Sequence, residues 1–163
     1  MSAQRGPVHR YVDAAPGCWA LYCSLEPFKQ SLDPRDAPTV TQWLVDGYAV
    51  QHATNLDRAN RQSVALHLMS LCASFERGAT GTQLRVALAD WSHREYEALL
   101  PLPDAYPLTV VDVVRAPQGE RTASVSQFAY STWTAWSGHH DRVRRWLDSP
   151  PERSTSYARR PVT

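Results

Sequence analysis

The chain has 163 residues, 43% of them apolar, which is enough to bury one sizeable core and too few for two. Its 17 basic and 16 acidic residues leave a formal charge of +1, so no global field draws it to nucleic acid or to an anionic membrane. No run reaches the roughly 20 apolar residues that a bilayer-spanning helix needs, and the polar start MSAQRGPVHR lacks the apolar centre of a signal peptide. The expectation is a cytoplasmic protein whose partner is a small molecule. Cys18, Cys23 and Cys72 form no Cys-x-x-Cys pair and read as reduced thiols.

Helical spacing dominates, and strand-like alternation is confined to runs too short for a sheet. Residues 1–15 read as an extended arm. Pro16 suits the first turn of a short helix through Trp19, Leu21 and Leu25, which Pro27 should end or kink. After the turn-like SLDPRDAP, Thr39 is the expected N-cap of a helix carrying Val40, Trp43, Leu44, Tyr48 and His52 on one stripe. A loop around Asn55 to Arg58 leads to a third helix with Val64, Leu68, Leu71 and Phe75 on one face, closed by Gly78. Thr82 is the expected cap of a fourth, with Leu84, Leu88 and Trp91 inward.

The proline-rich PLPDAYP reads as non-helical, and a short turn of helix falls near Thr109 to Val114. The longest helix is expected from about Thr122 to Leu147, with Val125, Phe128, Thr132, Trp136, His140, Val143 and Leu147 inward and Gly138 loosening it before His139. These elements predict an all-α fold: a single-domain bundle of four to five helices over residues 1–148, followed by a mobile tail over 149–163.

Four of the six histidines, His52, His67, His139 and His140, fall on or beside inward faces of three different helices. Neutral imidazole is the commonest protein ligand for zinc, iron and copper, and bundles build metal sites from facing helices, so these four are the candidate metal ligands. Each is equally explained as a core histidine with an ordinary hydrogen-bond partner, because no His-x-x-x-His or Glu-x-x-His pair places two ligands on one helix face. If the second and third helices form an antiparallel hairpin, His67 lies opposite Asp46, and His52 lies near Gln62 at a different level. A carboxylate behind His67 would fix its tautomer, as in an acid/base pair, a metal site's supporting shell or a simple buried hydrogen bond. Tyr48, Gln51, Trp133 and Trp136 are candidates to line a substrate pocket, and His9 and Cys18 form a secondary polar cluster. Arg142, Arg144 and Arg145 favourably oppose the last helix's C-terminal dipole. Phosphate-loop, Gly-x-Ser-x-Gly and EF-hand spacings are missing.

The runs HRYVDAAPGCWALY, VDGYAVQH, QSVALHLMSLCASFERG, LTVVDV and STWTAWSGHHDRVRRWL resemble the successive motifs of an uncharacterised bacterial family, frequent in actinobacteria. The resemblance extends to Leu147 and implies one domain, with no particular reaction. It places His9, Cys18, Asp46, Gln51, His52, His67, His139 and His140 on matching motifs. Members often carry histidine where this chain has Thr41, and a Cys-x-x-Cys-like start that this chain lacks. Three functions follow as expectations: a metal-dependent helical enzyme acting on a small molecule, in a setting such as bacterial secondary metabolism; an acid/base catalyst using Asp46 and His67 without metal; and a non-catalytic bundle binding a ligand or protein.

Overall fold

The computed structural model describes residues 12, 14–54 and 57–149. The expected N-terminal arm with His9, the turn at Asn55 and the tail beyond Ser149 lie outside the described residues, apart from Val12, Ala14 and Ala15 in the arm. The elements in chain order are α1 (Pro16–Cys23), α2 (Glu26–Gln30), α3 (Ala37–Gln51), α4 (Arg58–Arg77), α5 (Gly81–Trp91), α6 (Val110–Arg115), α7 (Arg121–Ala135) and α8 (His140–Asp148). Short 3-10 turns at Gln118–Glu120 and Ser137–His139 lead into α7 and α8. The described residues contain no strand, as the spacing requires.

Local chemistry sets most boundaries. Asp57 caps α4 by accepting from the Asn60 N–H at 2.7 Å. Gly78, at φ 67°, ends that helix while Ala79 N–H returns to Ala73 O at 3.0 Å, the pattern that needs a left-handed residue. Thr109 and Asp112 form a reciprocal capping box at the start of α6.

Four boundaries differ from the sequence reading. Pro27 does not end a helix; it sits in the first turn of α2, where its missing N–H has no partner to lose. Thr39 lies inside α3, and its hydroxyl accepts from Gly81 N–H at 2.9 Å instead of capping its own helix. The cap of α5 is Thr80, not Thr82, because Thr80 and Gln83 complete a capping box. The expected longest helix is broken: the chain leaves helical geometry at Trp136, at φ −92° and ψ 16°, and restarts as α8 at His140. The 20-residue α4 is therefore the longest helix among the described residues.

Helix α3 is central, packing against α7, α4 and α5. One apolar cluster gathers Tyr22, Leu25, Phe28, Leu44, Tyr48, Val113, Val125 and Phe128 from α1, α2, α3, α6 and α7. A second gathers Val64, Leu68, Leu71, Trp133, Trp136 and Val143 from α4, α7, α8 and the turn between the last two. Trp43 packs against both. On the outside, Arg144 of α8 forks onto the Glu76 carboxylate of α4 at 2.8 and 2.9 Å, and this guanidinium holds the Glu76 carboxyl below the usual carboxylate range. No helix among the described residues is long and apolar enough to cross a membrane.

Two glycines permit the close packing of α3. A Cβ on Gly47 would stand 2.5 Å from the Phe128 ring, and one on Gly81 would stand 2.2 Å from the Pro38 backbone. Backbone cannot swing aside as a ring can. Gly81→Ala should therefore destabilise the protein by about 1–3 kcal/mol or more, the usual cost of overpacking, and lower Tm in thermal unfolding. Gly119→Ala, with nothing within 4 Å, should leave Tm nearly unchanged and serves as the comparison.

Candidate active site

Asp46 lies on the face of α3 turned to α4 and is 0% exposed. A buried carboxylate needs donors, and three are present. Gln42 Nε2, one turn earlier on α3, donates at 2.7 Å, His67 Nδ1 at 2.7 Å and Ser70 Oγ at 2.6 Å. His67 and Ser70 are three residues apart on α4 and so project from one face. A carboxylate only accepts, so His67 carries a proton on Nδ1.

The other ring nitrogen, Nε2, has no hydrogen-bond partner among the described residues. His67 is partly exposed and lines a cavity of about 530 Å³. Ala59, Ser63 and His67 line it from successive turns of α4, together with Arg58, Gln62 and Leu66; Ser92, His93 and Arg94 close the far side from the segment after α5. Two arginines line the cavity, and among the described residues no Asp or Glu does. Arg94 donates to Trp146 O at 3.0 Å, while its Nε is buried without a partner. Arg58 reaches Glu95 at 2.6 Å on an exposed edge.

The other histidines take separate partners. His52 bonds Tyr48 O through Nδ1 at 2.8 Å and faces Cys18 Sγ through Nε2 at 3.0 Å. His139 Nε2 donates to Pro101 O at 2.8 Å. His140 stacks on Trp133 with ring centroids 3.6 Å apart, and its Nε2 donates to Trp133 O at 2.9 Å. No contact between His52 and His140 is among these, and His140 lies against Trp133 of the helix that precedes it. Among the described residues, no three His, Cys, Asp or Glu side chains are grouped to hold a metal ion.

The four residues expected to line a pocket are built into the interior instead of the His67 cavity. Tyr48 is packed against Tyr22 with centroids 4.3 Å apart. Gln51 donates to Leu108 O at 2.7 Å and Thr132 Oγ1 at 2.8 Å, tying α3 to α7. Trp133 is 3% exposed, and Trp136, 1% exposed, donates to Tyr106 Oη at 3.0 Å. Sequence reasoning missed Arg58, Ser63, His93 and Arg94. The spacing of Ser63 four residues before His67 was a usable signal; His93 and Arg94 follow a helix end and carry no periodicity.

The fold and this geometry define a helical protein with a carboxylate-oriented histidine opening onto a cavity. Residues 6–137 match a family of unknown function, DUF5946, and the chain belongs to that family. No curated protein and no solved structure gives a match.

Because three donors converge on Asp46, its removal should cost more than loss of any one of them. Asp46→Ala should destabilise the protein by roughly 3 kcal/mol or more through orphaned buried groups, and Ser70→Ala by about 1 kcal/mol. Denaturant unfolding of the two variants tests this; equal, small losses would show that the carboxylate does not organise the α3–α4 interface.

Proposed function

We propose that this protein is an enzyme that performs acid/base chemistry on a small molecule, with His67 as the proton-transferring group and Asp46 as the residue that positions it. The reading rests on one observation: Nδ1 of His67 is committed to a buried carboxylate while Nε2 has no partner among the described residues, in a partly exposed side chain that lines a cavity. Nε2 takes a proton from bound substrate, and the imidazolium that forms is stabilised by Asp46 at 2.7 Å. Positioned proton transfer of this kind contributes about 10²–10⁴-fold to rate. Ser63, one turn before His67, supplies a hydroxyl to the same cavity. The two arginines, with no Asp or Glu lining the cavity among the described residues, favour a substrate with a carboxylate or phosphate group.

The second reading is a metal-dependent enzyme, in which zinc, iron or copper would be held through imidazole. Its support is the same Nε2, a ring nitrogen of the type metals take, with a carboxylate behind the ring. The acid/base reading needs no further ligand, and so it stands first.

The test is a panel of small carboxylates and phosphate esters incubated with purified protein in deuterated water, with turnover and deuterium uptake read by mass spectrometry. For a substrate so found, His67→Ala should lower kcat by about 10²–10⁴-fold, and a chelator should change nothing. Activity lost on chelation and restored by one divalent metal would move the assignment to the metal reading. Activity indifferent to His67 would overturn both.

A further inference from the structure

Helix α3 carries a second group of reactive side chains away from Asp46. Tyr48 follows Asp46 by two residues, so the two project about 200° apart around the helix. Near the end of α3, the Nδ1 of His52 lies 2.8 Å from Tyr48 O. A carbonyl oxygen only accepts, so this nitrogen carries the proton. Nε2 is thereby the accepting edge of the ring, and it faces Cys18 Sγ of α1 at 3.0 Å. The imidazole is thus held in the one tautomer that can receive the thiol proton.

An independent observation points to a ligand at this pair. Tyr48 is 2% exposed, yet its hydroxyl has no hydrogen-bond partner among the described residues. Burial pushes its pKa upward, and the neighbouring Cys18 adds to the effect. The hydroxyl therefore stays protonated at neutral pH, a buried donor with a hydrogen bond still to make beside the thiol. Around it the Trp19 and Tyr22 rings stack at 5.3 Å, and the Tyr48 and His52 rings lie 4.3 Å apart, an apolar aromatic surround.

We propose that Cys18 is a nucleophilic thiol, with His52 as its base and Tyr48 as an oxygen-directed donor, and that it takes small conjugated carbonyl compounds as covalent ligands. The thiol proton passes to His52 Nε2 as the sulfur electron pair forms a bond to the β-carbon. The C=C π pair shifts to give an enolate, whose oxygen accepts a hydrogen bond from Tyr48 Oη. The proton then moves from His52 Nε2 to the α-carbon. The sum is addition of S–H across C=C, with no oxidant and no further reactant.

The chain holds its own references. Cys23 is exposed, and Cys72 is 0% exposed with its thiol pushed up by burial to about 12. Cys18 is half-buried, so accessibility alone ranks Cys23 first. The experiment treats the full chain with limiting N-ethylmaleimide and follows each cysteine peptide by mass spectrometry over time. Cys18 should label roughly tenfold or more faster than Cys23, and His52→Gln should remove that advantage while leaving the Cys23 rate unchanged. Tyr48→Phe should slow maleimide addition at Cys18 but not alkylation by iodoacetamide, a displacement that builds no enolate. Labelling of Cys72 would reveal an unfolded variant, in which case the wild-type ranking and Tyr48→Phe decide. Cys23 reacting first in the wild type, or a folded His52→Gln protein with an unchanged Cys18 rate, overturns the proposal.

Discussion

The burial of the Asp46 carboxylate between α3 and α4 governs much of what surrounds it. An isolated charge at 0% exposure would be prohibitively unfavourable, and the fold answers with three donors drawn from two helices. Each donor fixes something. Gln42 ties the carboxylate to its own helix, Ser70 fixes the rise of α4 against α3, and His67 sets the rotation of α4 by requiring that its ring edge meet the carboxylate. The geometry that satisfies the charge is also the geometry that commits Nδ1 of His67, a residue that lines the cavity. The packing of α3 on α4 and the orientation of His67 therefore share one constraint.

Much of the fold could be read from the chain because α3 and α4 carry helical periodicity and α4 has well-marked ends. The Asp46–His67 contact followed from counting turns outward from the intervening loop, since two antiparallel helices leave little freedom of register. The breaks were harder. Around Trp136 the inward pattern from Val125 to Val143 continues without a gap, so spacing alone describes one helix; the 3-10 turn that breaks it follows Trp136, whose indole N–H is held by Tyr106 from a distant segment, a contact that periodicity does not carry. Similarly, Thr80 and Thr82 are both competent caps, and only the reach of Gln83 back to Thr80 decides between them.

The histidines show why residue type and inward phase are insufficient to define a shared site. His52, His67 and His140 each commit one ring nitrogen to a nearby oxygen, and in each case that partner decides which nitrogen is turned elsewhere. For His67 the partner is a carboxylate from the facing helix. For His52 and His140 it is a main-chain carbonyl of the same or preceding helix, and the other nitrogen turns to a different element: Cys18 of α1 at 3.0 Å for His52 and Glu76 of α4 at 3.9 Å for His140. The cavity walls beyond α4 come from a segment without regular structure, where sequence patterns are silent and the positions of His93 and Arg94 depend on how α5 ends.

The absence of a side chain at Gly47 has a consequence for motion. With the Phe128 ring already occupying the space where a Cβ would stand, and Gly81 seated against the Pro38 backbone on another side, α3 is gripped like a shaft in a close-fitting bearing. Any roll that lifted Asp46 toward water would drive the helix into one of these contacts. Solvent should therefore gain the carboxylate only when α3 detaches as a cooperative unit, so amide protons at the centre of this helix ought to exchange on the timescale of that opening, far more slowly than the fraying of its ends.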